Sequence, residues 1–231
     1  MPRWSATAAV VGGLLVWTAL VTPLSVAVGE QFAYYDPQTD PQRLLYHRDL
    51  AVHVYTAGHW LGQLVAALAG VRLVTRAEAY SRATVVRAAL AGAVLGLATA
   101  TVAVLAGLRP MRAHGYPSVA PDPTMLSDAA VLWCLVASLA CFPLWAVIGA
   151  GIARLIRERA WLAAVLAILV QPATLLLTVG LAAPPSSHAF AVATIGDAGP
   201  AALLMPAILL AWTAVVTAAA VVVGRRRAGR G

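Results

Sequence analysis

Six stretches of this 231-residue chain run for twenty residues or more without a charged side chain, and that constrains the fold before anything else does. A bilayer core about 30 Å thick is crossed by about 20 apolar residues in a helix. The spans so defined are 4–29, 51–71, 88–108, 129–153, 160–182 and 201–224. The fifth charge-free run continues to Gly196, but Pro184 and Pro185 are expected to end its helix near Ala182. Only 11% of the residues are charged, against roughly 25% in soluble domains, so a water-filled surface cannot be built from this chain. In lipid the backbone must satisfy its own hydrogen bonds, which leaves helices or a closed barrel. No run alternates with the period of a barrel strand. The expected fold is therefore all-α, a polytopic bundle of about six transmembrane helices forming a single transmembrane domain over 1–231.

Orientation follows from the arginines. All sixteen basic residues are Arg and Lys is absent, which with the abundant Ala, Val and Gly points to a GC-rich bacterial genome. If the N-terminus is cytoplasmic, twelve fall inside: Arg3; Arg72, Arg76, Arg82 and Arg87; Arg154, Arg157 and Arg159; Arg225, Arg226, Arg227 and Arg230. Outside are only Arg43, Arg48, Arg109 and Arg112. The reading is a multi-pass plasma-membrane protein with both termini inside. The formal charge of +7 is spent on the ends of apolar runs, so no nucleic-acid partner is expected. Arg3, an apolar run and Ser25-Val26-Ala27 imitate a signal peptide. The run is longer than the roughly 7–15 residues of such an apolar region, and the first span is expected to remain uncleaved. The outer connections, Glu30 to Leu50, Arg109 to Asp128 and Pro184 to Pro200, are the long ones, and His47, His114 and His188 are expected in outer loops.

Within the spans, polar residues are few enough to weigh singly. His53, Thr56, His59 and Gln63 recur at three- and four-residue steps, placing them on one face of a continuous second helix. Intramembrane ionisable groups usually face a cavity or a partner. Three readings stand: a substrate-path or proton-linked stripe, interhelical hydrogen bonding with a wet outer end, or haem ligation. Gln171, Thr174 and Thr178 form a second stripe beside Pro172, read either as a kink held by local hydrogen bonds or as a pathway lining. Gly62, Ala66 and Gly70, and Gly92 and Gly96, are small residues at four-step spacing that permit close helix approach. Cys134 and Cys141 lie about 10 Å apart along one helix, beyond disulfide reach. The inner connection Arg76 to Arg87 can form a short amphipathic surface helix, or serve only as positive-inside charge. Walker-type glycine loops, nucleophile elbows and HExxH are absent. No enzymatic role and no cofactor are expected, and ATP, if used, must be bound by another chain.

The order of these features resembles the membrane subunits of ABC exporters, in the class that moves drugs and polysaccharides. Glu78 followed by Ala83-Thr84-Val85-Val86-Arg87 is similar to the pattern between that family's second and third spans. Val147-Ile148-Gly149-Ala150-Gly151-Ile152-Ala153-Arg154-Leu155-Ile156-Arg157 resembles its glycine-rich helix end and basic turn, and Arg225-Arg226-Arg227 is a weaker similarity. The chain departs from the pattern in a longer glutamate-to-arginine spacing and in having only Met1 to Arg3 ahead of the first span. The resemblance implies a permease subunit that makes and breaks no bond. A cytoplasmic ATP-binding subunit would press on Arg76, Glu78, Arg82, Arg87 and Arg157, and a second membrane subunit, identical or related, would complete the bundle. His53, His59, Gln63, Gln171 and Thr174 would then be the candidates for the translocation path. Two other roles suit the same residues: a structural or anchoring subunit of a larger membrane complex, and a haem- or quinone-binding redox subunit using His53 or His59.

The orientation is open to a direct measurement. In intact cells, an impermeant thiol reagent is expected to modify a cysteine placed at Ser118 or Ser187 and to spare one at Ala228. The reverse pattern overturns the assignment.

Overall fold

Lipid offers a backbone no partner but itself, and in the computed structural model every regular element among the described residues is an α-helix. The structure describes residues 4–31, 43–76, 81–114, 122–156, 162–170 and 204–228. The helices are α1 (Trp4–Gln31), α2 (Arg43–Thr56), α3 (His59–Arg76), α4 (Arg82–His114), α5 (Ala129–Leu155) and α6 (Leu204–Ala228), with residues 162–170 also helical. Among the described residues, four stretches are long and apolar enough to cross a membrane: Thr7–Val26, His47–Thr75, Arg82–Ala113 and Ala129–Leu155. α6 carries a shorter apolar stretch, Leu209–Val223, and most of the expected fifth span lies outside the described residues. Burial is inverted relative to a soluble helix. Val16, Leu20 and Leu24 of α1 and Leu90, Val94 and Leu97 of α4 are all at least 60% exposed, which suits a hydrocarbon solvent. The fold is an all-α helix bundle of membrane character.

Several boundaries differ from those expected. α4 runs 33 residues, well beyond 88–108, and Pro110 sits inside it. A proline removes one helical hydrogen bond, but the next residue, Met111, is fully buried in an apolar cluster, and that packing holds the last turn in place. α2 begins at Arg43, so His47 is not in an outer loop: it is a buried helical residue. The second span is not one helix. A turn at Ala57–Gly58 separates α2 from α3, and Gly58 rests against Thr18, whose side chain would overlap any Cβ added there.

The chain forms two compact units, and α3, α4 and α5 each contribute to both. The first unit takes in, among the described residues, 4–31, 43–60, 98–114 and 122–138. Its core gathers Val26, Leu50, Val54, Tyr55, Met111, Met125, Val131 and Leu135. The buried hydroxyls of α1 turn back on their own helix: Thr18 donates to the Leu14 carbonyl at 2.9 Å and Thr22 to that of Thr18 at 2.7 Å. The hydrogen bond offsets the cost of taking such a hydroxyl out of solvent.

The second unit, which among the described residues takes in 61–76, 81–97, 139–156, 162–170 and 204–228, is built on backbone contact. A Cβ at Gly70 would overlap the Ala146 carbonyl, and one at Gly149 would overlap the Ala67 carbonyl, so α3 and α5 touch reciprocally through glycine. At Gly92 a Cβ would meet the Phe142 carbonyl oxygen at 2.6 Å. Helices in lipid gain little from burying apolar surface and associate through such close packing. Of the small residues singled out in the sequence, Gly70, Gly92 and Gly96 are therefore packing positions; Gly149 is their counterpart on α5. Among the described residues, neither Cys134 nor Cys141 forms a disulfide.

Backbone atoms cannot step aside as a side-chain tip can. Gly149→Ala is accordingly expected to destabilise the purified protein by about 1–3 kcal/mol. Gly12→Ala, where a Cβ meets nothing within 4 Å, should be neutral or slightly stabilising because alanine is the better helix former. Thermal melts in one detergent compare the two; equal effects would contradict the close-contact geometry.

Candidate functional site

The polar groups of the first unit converge on the segment before α5, residues 122–128. Asp122-Pro123 opens a turn, as an Asp-Pro pair favours. Its carboxylate accepts four hydrogen bonds: from the Thr124 amide at 2.9 Å, the Thr124 hydroxyl at 2.6 Å, the Ser127 amide at 3.2 Å and the Ser127 hydroxyl at 3.0 Å. Led by the Thr124 hydroxyl, these bonds hold the Asp122 carboxyl at about 2, below its ordinary 3.8. Asp128 ends the segment as the N-cap of α5, accepting from the Ala130 amide at 2.9 Å and the Val131 amide at 3.3 Å.

α2 holds this segment from one side. The Tyr55 hydroxyl donates to the Thr124 carbonyl at 2.8 Å, and His47 Nε2 lies 3.2 Å from the Pro123 carbonyl. Arg48 Nε donates to Asp128 Oδ2 at 2.8 Å, a partly buried ion pair. Sequence reasoning placed His47 in a loop and passed over Tyr55, Asp122 and Asp128. The signals for the two aspartates were present, an Asp-Pro turn and an aspartate directly before an apolar run. Nothing local marks Tyr55.

The expected stripe of the second span is divided by the turn at Ala57–Gly58. His53 is exposed and His59 is 2% exposed, so the single shared face is not retained. Thr56 turns its hydroxyl onto the Val52 carbonyl at 2.7 Å. His59 meets Ser138 of α5, with Nδ1 and Oγ 2.7 Å apart. Gln63, in the second unit, is half-buried. His59 thus faces protein, as a polar group in a span should, through a partner the sequence did not indicate. Gln171 and Thr174, of the second stripe, lie outside the described residues.

At the other candidate surface, Ser81 caps α4: the Thr84 amide donates to Ser81 Oγ at 3.3 Å. Arg82 and Arg87 therefore belong to the first two turns of the long helix α4 and not to a separate surface helix, and both are exposed. Arg76 is the last residue of α3. Glu78 and Arg157 lie outside the described residues. Elsewhere, Trp145 is fully buried and its indole N–H has no hydrogen-bond partner among the described residues.

No protein family, no curated protein and no solved structure matches this chain. What it does has to be read from its own residues.

Because the folded Asp122 carboxyl ionises below its ordinary value, its bonds stabilise the segment fully above 3.8 and lose that contribution as the pH falls through about 2. Melting temperature followed down in pH should show this decline, and Asp122→Asn should flatten it. An unchanged acid slope in Asp122→Asn would remove Asp122 as its source.

Proposed function

We propose that this chain is the membrane-embedded permease subunit of an ATP-driven exporter in the plasma membrane of a GC-rich bacterium. ATP is bound and hydrolysed by a separate cytoplasmic subunit, and a second membrane subunit, a copy or a related chain, completes the pathway. The chain itself is no enzyme in this reading and needs no cofactor. The observation that supports it best is the start of α4. Arg82 and Arg87 are exposed on the first two turns of a 33-residue helix, with no acidic residue in its first turn. Cations at a helix N-terminus oppose the macrodipole, so this end favours an acidic partner surface. A partner pressing there moves a membrane helix directly, without a flexible linker to absorb the stroke. Coupling then requires only that the partner bind one arrangement of the bundle better than the other.

A structural or anchoring role is the second reading, favoured by α1. Gly12 and Gly13 are exposed, with open space where a Cβ would stand. At Gly58, Gly70, Gly92, Gly96, Gly107, Gly149 and Gly151, by contrast, a Cβ would meet a close neighbour.

Because Arg82 and Arg87 are exposed, reversing both to glutamate should change the stability of the chain by no more than about 0.5 kcal/mol each. If they meet an acidic ATPase surface, the amount of co-purified ATPase should fall about tenfold or more. Recovery of the same ATPase in the same amount would show that this is not the docking end. Recovery of no ATPase with the unaltered chain would favour the structural subunit.

A further inference from the structure

Residues 122–128 lack helical structure yet bury their central side chains, with Thr124 and Met125 only 6% and 3% exposed. Met125 has φ 57°, a left-handed backbone that side chains other than glycine rarely adopt. The segment accepts that conformation to insert the methionine among Leu50, Tyr55, Met111 and Val131. Such outliers persist only where the surroundings hold them, and they concentrate at switching elements.

How the segment is held separates into two kinds of contact. Internally, the Asp122 carboxylate binds Thr124 and Ser127, and the Met125 amide donates to the Asp122 carbonyl at 3.1 Å. Externally, the hydrogen bonds from other helices come from α2 alone among the described residues: Tyr55 to Thr124, His47 to Pro123 and Arg48 to Asp128. We propose that residues 122–127 are a latched lid that opens as one piece. Asp122 keeps its shape, Asp128 on the cap of α5 is its pivot, and α2 is the latch. Opening breaks the Tyr55 and His47 bonds and withdraws Met125, while the Asp122 network and the α5 cap stay intact. What it uncovers is an apolar niche with one hydroxyl, that of Tyr55, at its edge. Relief of the Met125 backbone favours opening, and burial of its side chain opposes it. The inference concerns the chain alone and does not depend on the exporter reading.

The test uses full-length protein in lipid nanodiscs, with Cys134→Ala and Cys141→Ala removing the native thiols. Three single-cysteine reporters are labelled with a water-soluble maleimide: Met125→Cys on the lid's inner side, the exposed Ser127→Cys, and Ala103→Cys, fully buried in α4. Each is compared with and without Tyr55→Phe, which keeps the ring and removes only the latch hydroxyl. Labelling at 125 is expected to rise about tenfold, the effect of losing one buried hydrogen bond on a local opening. Labelling at 127 should stay fast and at 103 should stay blocked. No rise at 125, or a parallel rise at 103, would mean that the segment opens only with the rest of the fold and would overturn the lid. Should Tyr55→Phe unfold the chain, His47→Phe, which removes the other bond that opening breaks, takes its place: a rise at 125 alone supports the lid, and any other pattern overturns it.

Discussion

Close backbone contact between helices is the interaction on which the rest of this structure depends. In water, helices associate because apolar surface leaves the solvent. In a bilayer the acyl chains solvate leucine as well as another leucine does, so packing has to come from fit. The reciprocal approach of Gly70 to the Ala146 carbonyl and of Gly149 to the Ala67 carbonyl is that fit, and no larger residue can take part in it. Phe142 fills the adjoining space against Gly92 and Gly96. The large apolar side chains are left for the outside: Val16, Leu20, Leu90 and Val94 are exposed.

The first unit solves a different problem. Where a span reaches the polar boundary, its last turns need partners, and the segment at 122–128 supplies them. Asp122 absorbs four donors, Asp128 caps α5 and pairs with Arg48, and the Thr124 and Pro123 carbonyls accept from α2. The result is a polar seam over an apolar cluster, with a strained Met125 driven into it. The same arrangement buries His47 and extends α4 past Pro110 to His114. Both departures from the expected loop boundaries have this one cause.

The functional reading rests on charge placed where a partner can reach it. Arg82 and Arg87 stand on a membrane helix at the end where the macrodipole is positive, capped by Ser81. The exporter resemblance adds the idea of an ATPase, and it remains a proposal about a partner chain.

Some of this protein was legible from residue order alone. Helical spans follow from apolar runs of bilayer length, and the small-residue spacing of Gly92 and Gly96 already marked a packing face. An Asp-Pro turn and an aspartate before an apolar run announced the ends of the 122–128 segment. The partners were not legible. Tyr55 and Thr124 are 69 residues apart, His47 and Pro123 are 76, His59 and Ser138 are 79, and Arg48 and Asp128 are 80. The division of the second span at Gly58 was hidden for the same reason, since it answers to Thr18 of α1. Sequence by itself determined where the chain is helical and apolar, because those properties depend on neighbours within a turn or two. Tertiary structure alone decided which polar groups meet and which glycines touch backbone, because a hydrogen bond or a close contact depends on what another helix brings to the same place.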